Sequence, residues 1–246
     1  MKQSPLFTHI QTGEAVYDDV DRATYKGITI KTCMLLAISV IVAIFIAFAL
    51  PAILTYNPVT FYVTLVISSI VGFIAVIVGR MSETKAKYAS VVYAVCEGLF
   101  LGSISAIVEE YAPGAVATAV FSTLILFAIM LTLFATGIIR YGTKLRTICW
   151  ALTLGALALT LLVTIFAICI SDYQGYLGIM IGVEIFLLIY GVITLSMNFA
   201  EANAVVKMGA SKNAEWSVAL GLMISIIYIY IEVLRLILYI AARSDN

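Results

Sequence analysis

Charge is what this chain has least of: Asp, Glu, Lys and Arg make up only 11% of its 246 residues, less than half of the roughly 25% that a soluble domain uses to face water. A water-soluble globule is therefore excluded. There is a single histidine, His9, in the polar N-terminal segment, so a histidine-based catalytic or metal site is not expected. The four cysteines, Cys33, Cys96, Cys149 and Cys169, lie in or at the ends of apolar stretches without a CxxC or another metal-binding spacing, and they read as small buried side chains. Of the four prolines, Pro51, Pro58 and Pro113 sit at or near the ends of apolar segments, where a missing N–H and a fixed φ do least harm. HExxH, GxSxG and a phosphate loop are all missing. The chain is thus expected to be no enzyme and to hold no cofactor. It also lacks the basic domain of a nucleic-acid binder.

What the chain does have is hydrophobicity, at 63% apolar residues and a mean hydropathy of +1.11. This composition predicts an all-α polytopic membrane protein. Seven apolar segments follow one another, at about 32–54, 59–79, 88–108, 115–139, 147–170, 178–199 and 216–241, and each is long enough for a ~30 Å hydrocarbon core. Residues 1–31 form a polar N-terminal segment, 32–241 a seven-helix transmembrane domain and 242–246 a short tail. With no apolar run near Met1, no cleaved signal peptide is expected, and the first span serves as the targeting signal.

The basic residues of the connections alternate. Lys2, Arg22, Lys26 and Lys31 precede the first span; Arg80, Lys85 and Lys87 lie in the second connection, Arg140, Lys144 and Arg146 in the fourth, and Lys207 and Lys212 in the sixth. The first, third and fifth connections have none, and the tail has only Arg243. Basic loops stay cytoplasmic, which predicts the N-terminus inside, the C-terminus outside and an odd number of spans.

The last span, WSVALGLMISIIYIYIEVLRLILYI, places Gly221, Ser225, Tyr228, Glu232, Arg235 and Tyr239 on one stripe at 100° per residue. An ionised group facing lipid at mid-depth costs at least ~2.5–3.5 kcal/mol, so this helix is expected among the others with its polar face towards a site. Two readings of Glu232 and Arg235 stand: a local ion pair of architectural value, with Arg235 and Tyr239 snorkelling to the interface, or a group that handles ions or protons. Glu97, in the third span, lies near the midplane beside the small-residue pair Gly98 and Gly102, with Tyr93 one turn away. It reads either as a hydrogen-bonded core carboxyl or as part of an ion site. Glu184 lies in the sixth span ~9 Å below its outer end, and Glu232 ~24 Å from the inner end of the seventh, so Glu184, Glu232 and Arg235 are expected at one level. Asn198 and Glu201 lie near the cytoplasmic mouth, where solvation suffices to explain Glu201.

The seven-span plan, YAVCEGLFLGSISA in the third span, the connection RYGTKLR and the terminal EWSVALGLMISIIYIYIEVLRLI resemble the Bax inhibitor/YccA family (the transmembrane Bax-inhibitor-motif family), in particular its bacterial branch, over residues 30–240. The resemblance implies a last helix enclosed by the other six, residence in a bacterial plasma membrane, and a pH-sensitive Ca²⁺ leak in which an acid of the last helix shares a proton with an acid of the sixth. A basic residue of the second span is implicated in closure. Carried onto this chain, Glu232 takes the place of the last-helix acid, Asn198 that of the sixth-helix acid and Arg80 that of the basic partner, with Glu201 or Glu184 as substitutes for the missing second carboxylate. An amide cannot share a proton, so Asn198 departs from the pattern.

Clustered carboxylates in low dielectric cannot all stay ionised and so trade protons against a cation. Glu97, Glu184 and Glu232 are accordingly the candidate ion or proton site, with Arg235, Arg80, Asn198 and Glu201 as gating or charge partners. Glu232 and Glu184 would be weak Ca²⁺ ligands, since Ca²⁺ prefers six to eight oxygens, and Arg235 would compete with the cation. The alternative implied by the resemblance is an interaction protein that modulates a membrane-embedded AAA protease without conducting ions, presenting the N-terminal segment around Tyr17 and Asp18. Beyond such a protease, the bilayer is the expected partner.

Overall fold

The computed structural model describes residues 22–56, 58–135, 143–169 and 173–244; the N-terminal tail with His9, Tyr17 and Asp18, and Arg140 of the fourth connection, lie outside them. Seven helices follow in order: α1 Tyr25–Tyr56, α2 Pro58–Met81, α3 Glu83–Tyr111, α4 Ala115–Ala135, α5 Thr143–Cys169, α6 Tyr173–Lys207 and α7 Ala214–Ser244. Inside a bilayer every backbone N–H and C=O must be paired within its own segment, and a helix is the structure that does this for a single span. Among the described residues, six of the seven are long and apolar enough to cross a membrane. The chain is thus an all-helical polytopic membrane protein.

The helices overrun the apolar segments at polar ends. α1 begins at Tyr25, inside the polar N-terminal segment, where the Thr24 hydroxyl accepts the Gly27 N–H at 3.0 Å as a cap. α6 continues to Lys207, well beyond the apolar run that stops near 199. Helical hydrogen bonding does not end where hydrocarbon ends, and α6 stops only before Gly209, whose φ of +63°, with the Ala210 N–H donating to the Val205 carbonyl at 3.1 Å, makes a left-handed C-cap. The chain turns there directly into α7.

α7 is the axis of the bundle. Of its central window 72% is buried, against 17–39% for the other candidate spans. α1, α2, α3, α4 and α6 touch it directly, while α5 stands outside α6, in a small cluster of Ala156, Val163, Met180, Val183 and Leu187 to which Tyr239 of α7 adds its ring. One apolar face of α7, with Ala219, Leu220, Met223 and Ile227, packs on Leu35, Ala75, Ala86 and Ala94 of α1, α2 and α3. Another, with Val218, Leu222, Ile226, Ile229 and Val233, packs on α4 and α6 through Ala119, Leu195 and Phe199. The large apolar side chains left outside, such as Phe48 at 85% exposure and Phe73 at 68%, form the surface that lipid covers.

α1 and α3 approach most closely at the small-residue pair. A Cβ on Gly98 would come within 2.6 Å of the Ser39 carbonyl oxygen, and one on Gly102 would strike the backbone of Ala43. Neither obstacle is a movable side-chain tip, so the two helices must separate to admit any side chain. Gly102→Val should therefore lower stability by about 1–3 kcal/mol, read as a fall in the thermal unfolding midpoint in detergent; an unchanged midpoint would show that α1 does not rest on this groove.

Candidate functional site

The polar stripe of α7 faces α6, and the seam between these two helices holds three separate sets of contacts. Asn198 lies where α6 passes the first third of α7. Its amide Nδ2 donates to the Gly221 carbonyl at 3.1 Å and to Ser225 Oγ at 2.6 Å. Gly221 makes this approach possible, since a Cβ there would stand 2.8 Å from Asn198 Oδ1 and 2.9 Å from Arg80 Nη1.

Arg80, in the last turn of α2, enters from the other side of the same glycine. It holds Glu201 of α6 with two bonds, Nη1 to Oε1 at 3.1 Å and Nη2 to Oε2 at 2.9 Å, and Nη1 also donates to the Ser217 carbonyl at 3.2 Å. Glu201, readable from the sequence either as a solvated acid or as a charge partner, is thus clamped by a guanidinium fork. At 36% and 39% side-chain exposure, the pair contributes geometry more than stability.

Eleven residues further along α7, about 16 Å, is the second acid–base cluster. Arg235 Nη1 lies 3.2 Å from Glu184 Oε1, and its Nη2 lies 3.5 Å from Glu232 Oε1. The two carboxyl groups are 0% and 1% exposed, whereas Arg235 is 44% exposed. One guanidinium is therefore shared between two buried acids from different helices. The second oxygen of each acid, Oε2, is buried without a hydrogen-bond partner among the described residues. Just below, the Tyr228 hydroxyl donates to the Leu187 carbonyl at 3.4 Å, and its ring crosses that of Tyr190 edge-on at 5.8 Å. Gly191 leaves the room for it, because a Cβ there would lie 2.8 Å from the Tyr228 ring.

Glu184, Glu232 and Arg235 meet at one level, but Glu97 does not join them. Ser105 and Tyr230 hydroxyls meet at 2.8 Å and Ser90 Oγ reaches the Trp216 carbonyl at 3.4 Å, so α3 and α7 run parallel in register. Glu97, eight residues before Ser105, is consequently about 15 Å below Glu232 along the bundle. It is half-buried beside Tyr93, on a helix that does not touch α6. The expected single cluster of three acids is thus two acids plus one apart. Nor does Asn198 face Glu232: its partner on α7 is Ser225, seven residues or about 10 Å away. The substitute carboxylate beside Glu232 is Glu184.

Among the described residues no three of His, Cys, Asp and Glu gather as a closed metal site would require. One acid escaped sequence reasoning altogether. Glu215, 1% exposed, accepts the Thr24 N–H at 2.7 Å and pairs with Lys31 Nζ at 2.7 Å, tying the start of α7 to that of α1. Its place in the first turn of α7 was visible; the long-range partner was not.

A seven-helix membrane bundle wound around its own last helix, with an acid–base pair near one end of the α6–α7 seam and a shared guanidinium further along it, is the class of protein that these observations define. Comparison with models of protein families matches Bax inhibitor 1 like over residues 4–242. The chain belongs to this family. Neither the curated proteins nor the solved structures yielded a match.

The geometry makes Arg235 more costly to lose than either acid. Arg235→Gln strands two buried carboxyls, a change of about 3–5 kcal/mol where both are ionised, while Glu184→Gln or Glu232→Gln leaves the other anchor in place. In thermal unfolding, Arg235→Gln should be the most destabilised of the three. A deficit equal for all three variants would remove the shared-guanidinium account.

Proposed function

We propose that this protein is a low-flux cation leak, with Ca²⁺ as the expected permeant ion, whose route follows the α6–α7 seam and whose resting state is held closed by Arg235. The observation that carries this reading is the single guanidinium spread over two fully buried carboxyls, each with an unpartnered oxygen. Glu184 and Glu232 offer a cation four carboxylate oxygens, fewer than the six to eight that Ca²⁺ takes, so waters would complete a weak shell. Weak binding suits passage, because an ion must leave as readily as it enters.

Arg235 occupies the position that a cation would take. It is half-exposed and stands on the outer side of the acids, so it can swing away without unpacking the core. A proton taken up by Glu232 removes one of its two anchors. Acid should therefore favour opening, and no histidine is needed. At the other end of the seam the Arg80–Glu201 fork is a second contact that a passing ion has to part, and between them Asn198, Ser225 and Tyr228 offer only neutral groups. Two closures in series with a neutral middle account for a low flux.

In liposomes carrying a Ca²⁺ indicator, the wild-type protein should admit Ca²⁺ several-fold faster at pH 6 than at pH 8, and both Glu232→Gln and Glu184→Gln should flatten that dependence. Equal flux for wild type and Glu232→Gln across this range would sink the mechanism.

We further propose a bacterial plasma membrane, with the basic end, where α1, α3 and α7 begin, on the cytoplasmic side. Alkaline phosphatase fused after Asn246 should then be active and a fluorescent protein at the same place dark. The reverse pattern would invert the orientation.

A further inference from the structure

We propose that the end of the bundle where α1, α3 and α7 begin carries a site for the phosphate of a net-anionic phospholipid, with Lys87 as its cationic ligand on a platform made by Trp216. The ammonium groups of Lys31 and Lys87 both lie over the Trp216 ring, at 5.0 and 6.0 Å from its centroid. Two cations drawn to one indole repel each other unless counter-charge is at hand. Lys31 has it. Its Nζ is 2.7 Å from Glu215 Oε2 and also donates to the Lys212 carbonyl at 2.9 Å.

Lys87 has no carboxylate within ion-pair distance among the described residues. Among the described residues the acids at this end are already engaged: Glu201 with Arg80, Glu215 with Lys31 and the Thr24 N–H, and Glu83 with the Ser211 hydroxyl at 2.8 Å. Lys87 is exposed, so its ammonium is free to take an anion from outside the described residues, which would also relieve its repulsion from Lys31.

Depth decides its source. α3 has 29 residues, or about 43 Å, close to the full thickness of a bilayer with its headgroups. Lys87 is in its second turn and Trp216 in the first turn of α7, which sets both at headgroup level. Tyr88, next in sequence, is 73% exposed and adds the second amphipathic ring typical of an interface. An ammonium fixed on an indole at that height meets lipid phosphate first. The bound headgroup would bridge α1 and α3 to the first turn of the central helix.

The site does not depend on ion conduction and is tested without it. In nanodiscs of phosphatidylcholine alone and of phosphatidylcholine with about one third phosphatidylglycerol, the thermal midpoint and the lipid retained in native mass spectrometry are compared for wild type, Lys87→Gln, Lys87→Arg and Lys207→Gln. Wild type, Lys87→Arg and Lys207→Gln should each retain phosphatidylglycerol and melt higher in its presence. Lys87→Gln should lose the retention several-fold and the shift with it, while matching wild type in phosphatidylcholine alone. If Lys87→Gln proves unstable in every lipid, Lys87→Arg still decides, since its failure to retain the lipid overturns the proposal. Equal retention by Lys87→Gln and Lys207→Gln would reduce the effect to diffuse surface charge and overturn it too. So would a midpoint raised in phosphatidylcholine by inorganic phosphate alone, which would assign the site to a soluble anion.

Discussion

Burial of the last helix is the constraint from which the rest of the molecule follows. Over its buried length, a span surrounded by five others has little lipid face for apolar groups and little water for polar ones, so its buried polar side chains need partners on a neighbour. α6 supplies most of them. Asn198 answers Ser225 and the Gly221 carbonyl, the Leu187 carbonyl answers Tyr228, and Glu184 answers Arg235. The seam is polar because α7 is central, and its order comes from these specific counterparts, with the second oxygens of Glu184 and Glu232 left over.

Glycines set where these counterparts can meet. Gly221 admits both Asn198 and Arg80 to the same point on α7, Gly191 admits the Tyr228 ring, and Gly98 and Gly102 bring α1 against α3. Without a hydrophobic drive between helices in lipid, close backbone approach is the main way to gain packing. The same approach that packs the helices also places the charged groups. The two acid–base contacts are consequently fixed to different ends of one seam.

Some of this was legible in the residues. The stripe Gly221, Ser225, Tyr228, Glu232, Arg235 on α7 follows from helical geometry alone, as does the common level of Glu184 and Glu232, because rise per residue converts sequence distance into depth. What could not be read was which stripe faces which. Asn198 was matched to Glu232 by resemblance, yet it lies about 10 Å away against Ser225. Arg80 and Glu201 were both candidate charge partners, but that they pair with each other was not readable. Glu97 is grouped with the other acids by residue type alone; its depth near the midplane already sets it apart, and its helix does not touch α6.

By itself, then, the sequence determined the class of the protein and the periodic content of its helices: hydrophobic runs longer than a bilayer must become spans, and a 3.6-residue repeat puts particular residues on one side. Only the tertiary structure decided the pairs. Each acid had several basic or amide groups within reach by depth, and the choice among them depends on helix order around the axis and on rotation of each helix about its own axis. Those are properties of packing between segments far apart in the chain, set by where small residues let backbones meet, and no local spacing encodes them.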